Sequence, residues 1–284
     1  MIDSVRALRG QRVPRRAHVA QQAVRDRLGS RANLDVLVLC YHAVSPTWEA
    51  ALSVTPGLLE AQLRMLVRAG WRGTTFHDAV AGPSAGPALA ITFDDAYLSV
   101  LQLAYPILSE LGLPATVFAP TALISDLRRP LSWPGIAAWA QTPHRGELEA
   151  MSWSDLRFLA AQGWEIGSHT RTHPRLTQLD DAELSTELEG SRLECASNLG
   201  IACDTIAYPY GDVDARVAAA ASAAGYTAAA ALSSSLRPDG PHRWPRVGIY
   251  HGDRMWRFRL KVDRRVRRIR ASRLWPAPES IAQG

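Results

Sequence analysis

Short apolar runs recur along this chain, separated by stretches in which apolar residues return at helical spacing. Val36–Tyr41, Ala88–Phe93, Ala115–Ala119 and Thr205–Tyr208 are short runs bounded by turn residues, and each reads as a buried strand. Trp164–Ser168, Tyr226–Ala231 and Arg246–Tyr250 extend the series to seven. Between them lie helical patterns. Thr55-Pro56 starts one that carries Leu59, Leu63, Leu66 and Val67 and stops at Gly70. Tyr97–Leu111 reads as helix up to Gly112, despite Pro106 inside it. Ser152 caps a short helix with Leu156, Leu159 and Ala160, stopped by Gly163. Asp180–Leu199 is long and amphipathic, with Leu184, Leu188 and Leu193 on one side, and Asp214–Ala224 is stopped by Gly225.

Alternating strands and helices mean βαβ units around a parallel sheet. The expected architecture is a single-domain, α/β, distorted (β/α) barrel of seven to eight units over residues 35–252. A basic N-terminal arm (1–34) and a basic C-terminal tail (253–284) flank it. In such a barrel, functional residues belong just past the C-terminal ends of the strands.

Charge sharpens this division. Residues 1–31 carry eight Arg against Asp3 and Asp26, and residues 253–284 carry nine Arg and Lys261 against Asp253, Asp263 and Glu279. The whole chain is +5, so the body between these ends is acidic. Two basic ends on an acidic body point to an anionic contact such as a membrane surface, although Arg-rich solvated ends look the same in sequence. No nucleic-acid partner is expected, and the oligomeric state is not legible. Three cysteines without a CxxC pair argue against a disulfide framework or a thiolate zinc site. The basic start lacks the apolar segment of a signal peptide, and no apolar run reaches the ~18 residues of a membrane span. The expected location is cytoplasmic, with peripheral contact at the inner membrane.

Three segments that follow strands hold unusual polar residues. Thr92-Phe93-Asp94-Asp95 places two carboxylates at a strand end, where a cation could balance them or where they could simply cap the next helix. Ser168-His169-Thr170-Arg171-Thr172-His173-Pro174 offers two imidazoles four residues apart, able to meet one metal if the loop turns once. Tyr208-Pro209-Tyr210-Gly211 is a sharp turn able to aim backbone N–H groups at a forming oxyanion. One carboxylate and two histidines make the ligand count of a catalytic metal site with open positions.

In order and spacing these segments resemble the first three motifs of the polysaccharide deacetylase family, the NodB-homology domain. Tyr41-His42 is similar to the opening motif of many bacterial members, and Arg243-Trp244-Pro245-Arg246 to their late Arg-containing motif. The resemblance covers roughly residues 36–250. It implies a distorted (β/α) barrel and a divalent metal, zinc before cobalt, nickel or iron, held by Asp95, His169 and His173. It implies Asp94 as general base, oriented by Arg246, and the Tyr210 N–H beside Pro209 as oxyanion donor. The implied activity is hydrolytic removal of N-acetyl groups from a sugar in a polysaccharide or lipid-linked glycan precursor, as in exopolysaccharide biosynthesis.

Two features depart from the family pattern. Ala96 stands where Gly usually follows the Asp pair, which costs energy if that backbone must be left-handed. The late Leu-x-x-His motif, whose His protonates the leaving amine, is absent. His251 is the best-placed substitute and His242 the second, while His42 could line the pocket. Trp133, Trp139 and Trp153 could wall a glycan groove or pack the insert 120–152 onto the barrel. Competing readings are hydrolysis of a formamide or cyclic imide, a non-catalytic glycan-binding relative, and a non-haem iron oxygenase.

Overall fold

The computed structural model describes residues 35–82 and 86–275. The basic N-terminal arm lies outside the described residues. Seven parallel strands close into a barrel: β1 (Val36–Tyr41), β5 (Ala88–Phe93), β6 (Thr116–Ala119), β7 (Glu165–Ser168), β8 (Thr205–Ala207), β9 (Ala228–Leu232) and β10 (Trp244–Gly248). Strands β1 and β5 pair from Val36↔Ala88 to Tyr41↔Phe93, whereas β10 meets β1 only at Leu39↔Val247 and Cys40↔Gly248. The barrel is therefore uneven around its circumference. A short strand, β4 (Arg72–Thr74), pairs with the first half of β5, and β2 (Ala43–Val44) pairs with β3 (Ser53–Val54) outside the barrel.

Alternation along the strands sorts side chains by period two. Leu37, Leu39 and Tyr41 of β1 join Leu89, Ile91 and Phe93 of β5 in the large core beneath the helices. Val36 and Val38 join Ala90, Phe118, Ala207, Ala228, Ala230 and Trp244 in a second cluster inside the barrel. Small alanines there make room for Phe118 and Trp244. Gly167 completes that fit, since a Cβ would lie 2.7 Å from the Phe118 ring. The helix α2 (Phe76–Ala81) belongs to the same interior cluster, and its first N–H groups donate to Thr116 Oγ1 and Glu165 Oε2 at the barrel floor.

The outer layer holds α1 (Pro56–Arg68), α3 (Tyr105–Glu110), α4 (Trp153–Ala161), α5 (Asp181–Leu199) and α6 (Ala215–Ala223). The helix expected over 97–111 is helical from residue 98 through Glu110, and within it Val100–Ala104 forms a π-helical turn in which Tyr105 N–H reaches Val100 O. The widened turn accommodates Pro106, which cannot donate and whose ring would crowd the carbonyl four residues back. The last strand begins at Trp244, two residues before the expected start, because Pro245 is tolerated ahead of the β1 pairing. The segment set apart in sequence as a basic tail contains α7 (Met255–Val262) and α8 (Arg264–Arg270), with Phe258, Val262 and Arg267 buried against the barrel. Among the described residues, no helix is long and apolar enough to cross a membrane.

Candidate active site

Asp94 and Asp95 follow β5, His169 and His173 follow β7, the Pro209–Gly211 turn follows β8, and His42 follows β1. All sit at the C-terminal end of the barrel. Each loop is held in shape by the fold. Asp94 N–H donates to Tyr41 O at 3.0 Å, and Met151 N–H donates to Ala96 O at 2.8 Å. In the histidine loop, Glu187 of α5 accepts from Arg171 N–H at 2.7 Å, Thr172 N–H at 2.9 Å and the Thr172 hydroxyl at 2.7 Å. Thr170 Oγ1 accepts from His173 N–H at 3.1 Å, closing the single turn that brings both imidazoles to one point. Six non-glycine residues have a left-handed backbone among the described residues, and five of them are Asp95, Ala96, Thr170, His173 and Tyr210. Strained backbone thus concentrates in the three motif loops.

Asp95 Oδ1 lies 3.4 Å from His169 Nε2 and 3.3 Å from His173 Nε2, with all three side chains buried. It makes no well-aligned hydrogen bond with either ring. Tetrahedral bonds of about 2.0–2.1 Å place their donor atoms about 3.3–3.4 Å apart. The spacing and the orphaned carboxylate oxygen therefore fit a shared cation. His169 Nδ1 lies 2.8 Å from Ala207 O, so the tautomer that donates there leaves Nε2 free to ligate. His173 is fixed differently: Trp133 stacks on its ring at 4.0 Å, and Tyr210 meets it edge-on at 4.7 Å. Buried polar atoms without a partner gather here as well, including His42 Nδ1, His173 Nδ1, Tyr97 Oη and Arg246 Nε. Such a cluster marks a polar pocket built to be completed by a ligand.

Asp94 faces the other way. Arg246 Nη1 and Nη2 donate to its two oxygens at 2.6 and 2.7 Å, and Nη1 also donates to Thr92 Oγ1 at 2.9 Å. Burial alone would raise the Asp94 pKa, but the Arg246 charge and fork outweigh it and hold the carboxyl at about 2. His42 Nε2 is 4.0 Å from Asp94 Oδ2, and the Cys40 thiol is 3.5 Å from the same oxygen. Cys40, His42 and Asp94 form a second close group, but Arg246 already neutralises the carboxylate, so this group is not a cation site.

The turn after β8 is sharp. Gly211 has φ 69° and passes against β9, where a Cβ would sit 2.6 Å from Leu232 O. Its own bonds run from Gly211 N–H to Tyr208 O and from Asp212 N–H to Pro209 O, and neither uses the Tyr210 N–H. His251 lies in the turn after β10, where its backbone N–H donates to Ala51 O at 3.0 Å, and its ring is not among the groups meeting at Asp94 and Asp95. His242 leaves the candidate set. It precedes β10, at the opposite end of the barrel, with Nε2 2.8 Å from Tyr226 O. Of the tryptophans, Trp139 packs on Trp48 at 5.8 Å, whereas Trp133 reaches the site.

Sequence reasoning missed Cys40, Glu187 and the specific part of Trp133. Cys40 and His42 share the inward face of β1 by period two, which was a usable signal. Glu187 is a carboxylate between Leu184 and Leu188 on a buried helix face, which was another.

Known proteins carry the same arrangement of elements. Residues 81–229 match the family model described as polysaccharide deacetylase. A 65-residue stretch, 23% of this chain, is 40% identical to Chitin deacetylase 1 of Cryptococcus neoformans and spans only 14% of that protein. A polysaccharide deacetylase from Bacillus cereus shares the fold at TM-score 0.64 and 23% identity, over 80% of this chain and 69% of that one. A Streptococcus pyogenes deacetylase, solved in complex with acetate, superposes at TM-score 0.65 and 21% identity over 80% and 98%. A de-N-acetylase from Aggregatibacter actinomycetemcomitans does so at TM-score 0.66 and 20% identity over 80% and 99%. With its motif loops at one end of a closed seven-strand barrel and more than half its length matched, this chain belongs to the polysaccharide deacetylase family.

Proposed function

We propose that this protein is a metal-dependent hydrolase that removes N-acetyl groups from a sugar in a polysaccharide or lipid-linked glycan precursor. The observation that carries the reading is the convergence of Asp95, His169 and His173 beside an Asp94 that is not needed for ligation. Two imidazole nitrogens and a carboxylate oxygen suit zinc first, then cobalt, nickel or iron. A divalent cation bound there supplies a Lewis acid for the amide carbonyl and an activated water.

The chain's own groups divide the remaining work. Asp94 is the general base, and Arg246 positions it with both oxygens fixed. The Tyr210 N–H, turned by the left-handed backbone at that residue, supports the oxyanion. For the proton that must reach the leaving nitrogen, the geometry favours His42, within 4.0 Å of Asp94, over His251. Trp133 and Tyr210 form the apolar side of the pocket, where a sugar face can lie.

The test is acetate release from N-acetylated glycan oligomers and lipid-linked precursors by metal-reconstituted protein, with formamides and cyclic imides as comparison substrates. Acetate release that disappears on chelation and returns with metal is the expected result. Turnover of small amides alone would overturn the sugar assignment.

A further inference from the structure

We propose that the outward face of α7, α8 and the turn after them is a docking surface for an anionic phospholipid bilayer. Nine large apolar side chains are exposed among the described residues, and four of them fall between positions 256 and 274: Trp256, Leu260, Ile269 and Leu274. Trp256 and Leu260 stand one turn apart on the same side of α7. They are interleaved with cations. Residues 254–275 hold nine Arg and Lys261 against Asp263 alone.

Some of those cations are occupied. Lys261 pairs with Asp253 and Arg264 with Asp35, while Arg267 is buried, donating to Val36 O and lying over Trp71. Arg254, Arg259, Arg265, Arg268 and Arg273 are exposed, and none has a carboxylate within ion-pair distance among the described residues. Residues 35–252 carry 14 Arg against 22 Asp and Glu, so among the described residues the excess of positive charge belongs to this C-terminal segment.

Both halves of the pattern find partners in one place. A bilayer interface offers phosphate to the guanidinium groups and hydrocarbon to the aliphatic side chains, with the indole at the level of the headgroups. A nucleic acid would satisfy the arginines and leave Leu260, Ile269 and Leu274 in water.

Point substitutions are the right probe, because deleting the C-terminal segment would also remove Phe258, Val262 and Arg267 from the core. The full chain is sedimented with vesicles of phosphatidylcholine, with or without phosphatidylglycerol. Binding should require phosphatidylglycerol, weaken as salt rises, and fall about tenfold when Trp256→Ser, Leu260→Ser and Ile269→Ser are combined or when Arg265→Glu and Arg268→Glu are combined. Circular dichroism of both variants should match the parent. Vesicle binding unchanged in both variants would overturn the proposal, as would binding to a DNA duplex without binding to vesicles. The measurement needs neither turnover nor metal, so its outcome is separate from that of the deacetylase assay.

Discussion

Arg246 grips Asp94 through two parallel hydrogen bonds of 2.6 and 2.7 Å, with the guanidinium only 1% exposed. Arg246 stands on β10 and Asp94 just past the end of β5, with β1 between the two strands, so the fork reaches across the barrel mouth. Arg246→Ala leaves a buried carboxylate unbalanced and should cost about 3–5 kcal/mol in urea unfolding at neutral pH. The pH dependence follows from the sign of the Asp94 shift. Its folded pKa of about 2 lies below the ordinary 3.8, so the pair's contribution is full above about pH 4 and is lost as pH falls towards 2. In Arg246→Ala burial is the largest remaining influence, opposed by His169 and His42, and it favours the neutral acid, so the gap to the parent should narrow on acidification. A gap that stays constant from pH 7 to pH 3 would show that Asp94 is not the linked group.

Metal retention separates the two aspartates. Asp95→Ala, His169→Ala and His173→Ala should each sharply reduce the metal that co-purifies, read by elemental analysis. Asp94→Asn should keep the metal and lower kcat by roughly 10²–10⁴-fold. Full activity in Asp94→Asn would remove its role as base.

The proton donor can be chosen between two histidines. His42→Gln should lower kcat by about 10²-fold or more, with metal content unchanged. His251→Gln should change kcat only a few-fold. The opposite ranking would move the role to the turn after β10.

Trp133 stacks on His173, one of the three proposed metal ligands. His169 has Ala207 O behind it, whereas the buried Nδ1 of His173 has no partner and the ring depends on stacking. Trp133→Ala should weaken metal affinity, measured by competition with a chelating dye, and Trp133→Phe should restore most of it. Equal affinity in Trp133→Ala would reduce Trp133 to packing.

Ala96 poses a question that magnitudes can answer. Its left-handed backbone costs ~1–2 kcal/mol relative to glycine. Its buried methyl contributes about 0.8 kcal/mol, and glycine adds unfolded-state entropy of similar size. Ala96→Gly should therefore shift stability by less than about 1 kcal/mol in thermal melts, which explains how this chain carries an alanine there.

The seven barrel strands were legible because most are short apolar runs closed by turn residues, with Glu165 of β7 and Arg246 of β10 as charged exceptions. Strand β4 was not, because Arg72–Thr74 is three partly exposed residues with no periodicity to read. Helix α2 has only six residues, and its first N–H groups are held by Thr116 and Glu165, residues distant in sequence. The strand ends carrying Asp94, Asp95, His169 and His173 were legible for the same reason as the strands. The pairing of Arg246 with Asp94 rested on resemblance, since nothing local to either residue points to the other. Trp133 could not be told from Trp139 by sequence, because only the path of the insert brings one ring onto His173 and the other onto Trp48.

The left-handed backbone at Asp95, Ala96, Thr170, His173 and Tyr210 has a thermal consequence. At on the order of 1 kcal/mol each, these five conformations sum to about 5 kcal/mol, comparable to the lower end of a domain's net stability. The strands and their helices must carry that load, and the motif loops gain least from staying put. On heating, the loops should slacken before the barrel melts. Turnover should accordingly decline at temperatures where the circular dichroism of the folded chain has yet to change.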